Sequence, residues 1–112
     1  MVVEEFLLDL GISPDLKGFK YIRDFLETKF PNDTFKLTDC YRHLASIYDV
    51  SPASVERAIR HAIETTYPRF SEKHRKQIFG NISIKHDKPT NKTFLCCLQL
   101  RYDKLNLKET HE

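Results

Sequence analysis

A chain of 112 residues with 40% hydrophobic and 30% charged side chains, including eight Phe and five Tyr, can bury a single core of four to six helices and no second one. Disorder is expected only at the ends, with residues 1–107 as one domain and 108–112 as a frayed tail. Apolar runs stay too short for a membrane span, and Glu4 and Glu5 stand where a secretory leader would carry basic residues, so a cytoplasmic protein with no membrane partner is expected. Cys40, Cys96 and Cys97 are odd in number and two are adjacent, which reads as reduced, mostly buried thiols. No Cys-x-x-Cys occurs and the five histidines never fall at ligand spacing with the cysteines, so neither a metal nor another cofactor is expected.

The net charge of +2 is unevenly distributed. Residues 1–35 carry four Lys/Arg against seven Asp/Glu, and residues 36–112 carry fourteen against nine. The basic part is where a polyanion would bind; an even spread of these charges over the folded surface is the competing reading.

In chain order, Val2, Val3, Phe6, Leu7 and Leu10 predict a short amphipathic helix capped at Gly11, with Ile12 packing back. A turn at Ser13-Pro14-Asp15 leads to a second helix built on Phe19, Ile22, Phe25, Leu26 and Phe30, which stops before Pro31 and a loop at Pro31-Asn32-Asp33. Leu37, Tyr41, Leu44, Ala45 and Tyr48 define a third helix. Only Asp49-Val50-Ser51 separate it from a fourth, so helices of about 38–48 and 52–66 form a helix-turn-helix. Ala45 supplies the small residue at the crossing, Asp49 tolerates left-handed backbone, and Leu44, Tyr48, Val50, Val55 and Ala58 fill the elbow.

The fourth helix has a signal at each end. Ser51 can cap the first amides, Pro52 suits the first helical position, and Pro68 disfavours helix at Tyr67. Val55, Ala58, Ile59, Ala62 and Ile63 fall on one side, leaving Glu56, Arg57, Arg60, His61 and Glu64 to point away. A short basic helix follows at Phe70 to Gly80, with Ser71 as its cap. Asn81 to His86 is expected to be extended, as a short strand or an ordered loop. Thr90 or Asn91 opens a last helix with Phe94, Leu95, Leu98, Tyr102 and Leu105 inward. The fold class is therefore all-α, with about six helices around one core.

Such an outward face has two readings. It can be a solvated surface laced by Glu56–Arg60 and Arg60–Glu64 ion pairs, each worth a few tenths of a kcal/mol. It can also be a reading surface in the major groove, where arginine donates two parallel bonds to guanine and a carboxylate accepts from cytosine. Arg57 and Arg60, three apart, would then share a helical face and reach neighbouring base pairs. Lys85, Lys88, Arg42 and the helix start at Ser51 and Ser54 could hold phosphates, and His61 suits packing or the phosphate side better than a base edge.

Val55-Glu56-Arg57-Ala58-Ile59-Arg60-His61-Ala62-Ile63-Glu64 matches a recognition-helix signature without a change. Leu16-Lys17-Gly18-Phe19 with Tyr21 and Arg23, Ile78-Phe79-Gly80, and Lys88-Pro89-Thr90-Asn91 before Phe94 match in the same order. By these residues the chain resembles the C-terminal DNA-binding effector domain of stage zero sporulation protein A, a sporulation response regulator. The resemblance implies an all-helical domain that binds a short operator box with a GTCGAA-like core, often as tandem copies or a homodimer on double-stranded DNA. It implies base reading by Glu56, Arg57 and Arg60, with Lys88 near the DNA backbone. It further implies that the segment from Arg69 to Gly80, with Arg69, Lys73, Arg75 and Lys76, faces an RNA polymerase sigma factor.

The chain departs from the family pattern at Ser54, where a basic residue is usual, at Arg42, where proline is usual, and at Asp15, where a phosphate-contacting histidine is usual. The residues before Gly11 are too few for the family's receiver domain, so a stand-alone effector is expected in preference to an excised fragment. No glycine-rich phosphate loop, Gly-x-Ser-x-Gly or paired carboxylates point to an enzyme, and no catalytic residue is assigned. The alternative function is a protein-interaction module that binds a partner regulator or sigma factor without specific DNA binding, a reading that Ser54 and Asp15 would favour.

Overall fold

The computed structural model describes residues 1–30, 36–84 and 87–111, the last four as backbone only. Six α-helices are formed among them: α1 (Val3–Asp9), α2 (Lys17–Thr28), α3 (Leu37–Tyr48), α4 (Pro52–Thr66), α5 (Glu72–Phe79) and α6 (Asn91–His111). A 3-10 turn at Tyr67–Arg69 follows α4, and the described residues contain no strand. The loop expected at Pro31-Asn32-Asp33, and the positions of Lys85 and His86, lie outside the described residues.

Local chemistry sets the ends of these helices. Gly11 takes φ +83°, and the Ile12 amide donates to the Leu7 carbonyl at 3.0 Å, closing α1 while Ile12 packs into the core, 1% exposed. Asp49 closes α3 in the left-handed region at φ 54°. The amide of Val50 then donates to Ala45 O at 3.1 Å, so the turn satisfies carbonyls that α3 would otherwise leave open. Ser71 accepts from the His74 amide at 3.1 Å, and Thr90 accepts from the Thr93 amide at 3.2 Å, capping α6.

The core gathers the expected apolar faces. Phe6 and Leu7 of α1, Phe19, Ile22 and Leu26 of α2, Leu44 of α3, Val55, Ile59 and Ile63 of α4, and Phe94, Leu95 and Leu98 of α6 are all buried. Each such side chain contributes about 1.5–3 kcal/mol on leaving water. Phe79 joins Tyr67 and Phe94 in edge-on and tilted ring contacts, with centroids 5.6 and 6.0 Å apart respectively, which seats α5 against the C-terminal half. Tyr102 donates its hydroxyl to the Met1 carbonyl at 2.9 Å and meets the Phe6 ring at 5.3 Å, tying α1 to α6.

Two helices approach so closely that only glycine fits between them. A Cβ on Gly18 of α2 would lie 2.4 Å from the Ala58 carbonyl oxygen and 2.9 Å from the Ala62 Cβ, both on α4. α4 is therefore seated on α2 at small residues from both helices.

Two sequence expectations change in detail. Val50 does not fill the elbow of the helix-turn-helix; it is 41% exposed, because Leu44 and Val55 already close the interior and the left-handed turn aims the next side chain outward. Tyr48 is half-buried and donates to Asp24, while Arg23 donates to the Tyr48 hydroxyl at 3.1 Å. Its work is to join α3 to α2. Of the segment expected as a short strand or an ordered loop, residues 82–84 form no ladder among the described residues, with Ile82 exposed and Ile84 packed against the core.

Candidate nucleic-acid interface

The outward face of α4 starts from a serine cap. Ser51 accepts the Ser54 amide at 3.1 Å, and the two hydroxyls lie 2.9 Å apart. Pro52 begins the helix, where its missing N–H costs nothing. Both serines are thus engaged in starting the helix, with Ser51 exposed and Ser54 half-buried.

One turn further on, the candidate base readers emerge beside a buried row of Val55, Ile59, Ala62 and Ile63. They splay to two flanks of the helix. On one flank, Glu56 and Arg60 line a groove of about 480 Å³ that Lys88, Asn91 and Lys92 complete. On the other, Ser54, Arg57 and His61 line a groove of about 680 Å³ together with Lys17 and Lys20 of α2. The shared face expected for Arg57 and Arg60 is thus the crest between two grooves, with one arginine leaning to each side.

The groove beside Arg60 is pinned at its floor. Asn91, the first residue of α6, donates from Nδ2 to the Tyr41 hydroxyl at 2.9 Å and to the Glu56 carbonyl at 3.2 Å. One amide thereby fixes the start of α6 to α3 and to α4. Burial holds the Tyr41 hydroxyl above its ordinary pKa, against the lowering effect of the Asn91 bond.

Ion pairs dress this face. Arg60 donates to Glu56 Oε1 at 2.7 Å across one helical turn. Lys88 pairs with Glu64, and its hydrogen bond is the main reason that the Glu64 carboxyl lies below its ordinary pKa. The Glu56–Arg60 pair anticipated from spacing is present, whereas Glu64 is engaged by Lys88 from outside the helix. Arg57 has no ion-pair partner among the described residues and is exposed.

The remaining candidates fall into separate places. Arg42 stands exposed on α3, 3.6 Å from Asp39, and lines neither groove. Lys85 lies outside the described residues. Arg69, Lys73 and Lys76 are exposed. Arg75 turns inward, with its guanidinium 4.5 Å from the centre of the Tyr67 ring and a bond to the Tyr67 carbonyl at 3.2 Å. That arginine holds α5 to the 3-10 turn.

Lys17, Lys20 and Lys92 were not singled out by spacing, because they border α4 from other helices, the first two from α2 and the third from α6. The signal available for Lys17 was its place beside Gly18, the residue that brings α2 against α4. Lys20 is held over the Tyr48 ring at 4.6 Å, a contact between residues far apart in sequence.

The described residues contain no group of three or more His, Cys, Asp or Glu placed to hold a metal ion. Cys40 is buried without a disulfide partner, and burial pushes its thiol up to about 12. Among the described residues no helix is long and apolar enough to cross a membrane.

The arrangement is that of a helix-turn-helix whose second helix is exposed along one crest, rich in groups that can donate to or accept from base edges, and flanked by lysines. The family model described as "Sporulation initiation factor Spo0A C terminal" matches residues 3–102, which spans all of these elements, and the chain belongs to that family of DNA-binding effector domains of a sporulation regulator.

Proposed function

We propose that the protein is a sequence-specific transcriptional regulator that lays α4 in the major groove of double-stranded DNA and reads a short box with a GTCGAA-like core. The observation that carries this reading is the exposed crest of α4, where Arg57 and Arg60 project over a buried row and lysines from other elements border both flanks. Arg57 and Arg60 donate to guanine edges, and Glu56 accepts from a cytosine amino group once Arg60 has left it. Lys88 contacts the sugar-phosphate backbone, and the helix start at Ser51 and Ser54 lies at the edge of the same surface. His61, on the Arg57 flank, faces a phosphate ridge.

The protein acts in the cytoplasm, with tandem copies able to occupy adjacent boxes. The exposed cations Arg69, Lys73 and Lys76 offer a face to a polymerase sigma factor.

Fluorescence anisotropy with box-containing and scrambled duplexes tests the reading. Preferential binding of the box, with Lys88→Ala weakening both duplexes alike and lowering the salt slope by about one unit, is the expected result. Equal, weak binding to both duplexes would overturn it. Capture of a sigma factor in a DNA-free binding assay would then favour the protein-interaction module.

A further inference from the structure

We propose that Glu64 is an affinity-setting residue: its carboxylate competes with DNA phosphate for Lys88, so that every DNA contact made by Lys88 requires release of this pair. The inference rests on the placement of Lys88 at the DNA backbone proposed above.

The two groups meet although they are 24 positions apart in the chain. Neither is sequestered, since the Lys88 and Glu64 side chains are 38% and 44% exposed; water and a phosphate can both reach them. The backbone that follows Lys88 is better held than its side chain. Pro89 is buried, Thr90 caps α6, and Asn91 is bonded to Tyr41 and Glu56. Lys88 therefore has a fixed base and a four-carbon stem that can swing its ammonium from one oxyanion to another without moving the fold.

The energetic consequence follows from counterion release. A lysine that neutralises a phosphate releases cations condensed on the DNA, and each such contact adds about 0.9 to the slope of log affinity against log salt. A lysine that must first leave Glu64 exposes a carboxylate as it gains the phosphate, so the net release is smaller and the binding weaker. Because phosphates are common to all sequences, the penalty falls equally on box and non-box DNA. Glu56 differs, because the base pairs of a correct box can engage both it and Arg60 after they separate. The two acidic residues thus divide the work: Glu64 sets how strongly any duplex is held, and Glu56 makes release of its partner depend on sequence.

A double-mutant cycle with Glu64→Gln and Lys88→Gln, read by anisotropy on a scrambled duplex over a range of salt concentrations, tests this. Glu64→Gln is expected to strengthen binding about two- to five-fold, the range that follows from the strength of an exposed pair, and to steepen the salt slope by a fraction of the unit that Lys88 itself supplies. In the Lys88→Gln background the same substitution is expected to change affinity by less than about 1.5-fold, because the competition is gone. Equal strengthening in both backgrounds would show that the carboxylate repels DNA directly and would overturn the proposal, as would no change in either. If the wild type fails to prefer the box but the cycle gives the expected pattern, the base-reading assignment fails and the competition stands.

Discussion

The two sides of α4 obey different rules. Towards α2, the helix is a fitted surface: Ala58 and Ala62 leave space that only a glycine at position 18 can occupy, and Ile59 beside them is fully buried. Towards solvent, the same helix carries Glu56, Arg57, Arg60 and Glu64 in exposed or half-buried positions, and all but Arg57 are held by ion pairs that water and salt can replace. The inner side fixes where the helix lies, and in the proposed reading the outer side decides what it recognises. A substitution on one side should accordingly change stability and leave preference alone, while one on the other should do the reverse.

The largest separation is expected from paired measurements on the two sides. Gly18→Ala puts a methyl group against backbone and should destabilise by about 1–3 kcal/mol in urea unfolding, overpacking outweighing the gain in helix propensity. A Gly18→Ala protein as stable as the wild type would mean that α2 and α4 can part without penalty. Conversely, Arg57→Ala and Arg60→Ala should each reduce discrimination between box and scrambled duplexes by about 1–3 kcal/mol, with thermal unfolding shifted little. Should both variants keep full discrimination, the reading face has been placed on the wrong part of the helix.

Ser51 sharpens the boundary between the sides, because a DNA-edge role and a capping role predict different losses. Its bond to the Ser54 amide predicts that Ser51→Ala lowers stability by about 1 kcal/mol, measurable by chemical denaturation. Retention of full stability together with loss of DNA affinity would assign Ser51 to the interface alone.

The smallest expected effect is a pH dependence on the outer side. The Glu64 carboxyl is lowered from its ordinary value of 4.5 by the bond from Lys88, so the folded state favours the charged form. Stability from this pair is present above the ordinary carboxylate value and is lost as pH falls through the lowered one. Comparison of wild type with Glu64→Gln across acid pH should show their difference in stability shrinking as pH falls through that window. A difference that grows on acidification would contradict the pairing.

Much of the inner side was legible in the sequence. The periodic faces of α2, α3 and α4, the cap at Ser51 and the left-handed turn at Asp49 depend on neighbours within a few residues, which a linear pattern records; Pro68, by contrast, does not drive Tyr67 out of helical backbone (φ −57°, ψ −44°), and the chain runs on from α4 as the 3-10 turn Tyr67–Arg69. What was not legible depends on positions distant in the chain. Val50 looked like an elbow residue by type and spacing, but turn geometry exposes it. Arg75 looked like a surface cation, but Tyr67 supplies a ring and a carbonyl that draw it inward. Nor could periodicity show that Glu64 would meet Lys88, or that Lys17 and Lys20 would border the groove beside Arg57. The recognition signature pointed to the face; the folded structure shows which of its charges are already engaged.

The contact between arginine and guanine N7 is the central claim, and methylation interference addresses it directly. Guanines of a box duplex are sparsely methylated at N7, bound and free fractions are separated, and the modified positions are compared for wild type and the Arg57→Ala and Arg60→Ala variants. Methylation of core guanines is predicted to exclude duplexes from the wild-type complex, with the interference at one position disappearing in each variant. Wild-type binding indifferent to methylation at every core guanine would contradict the account.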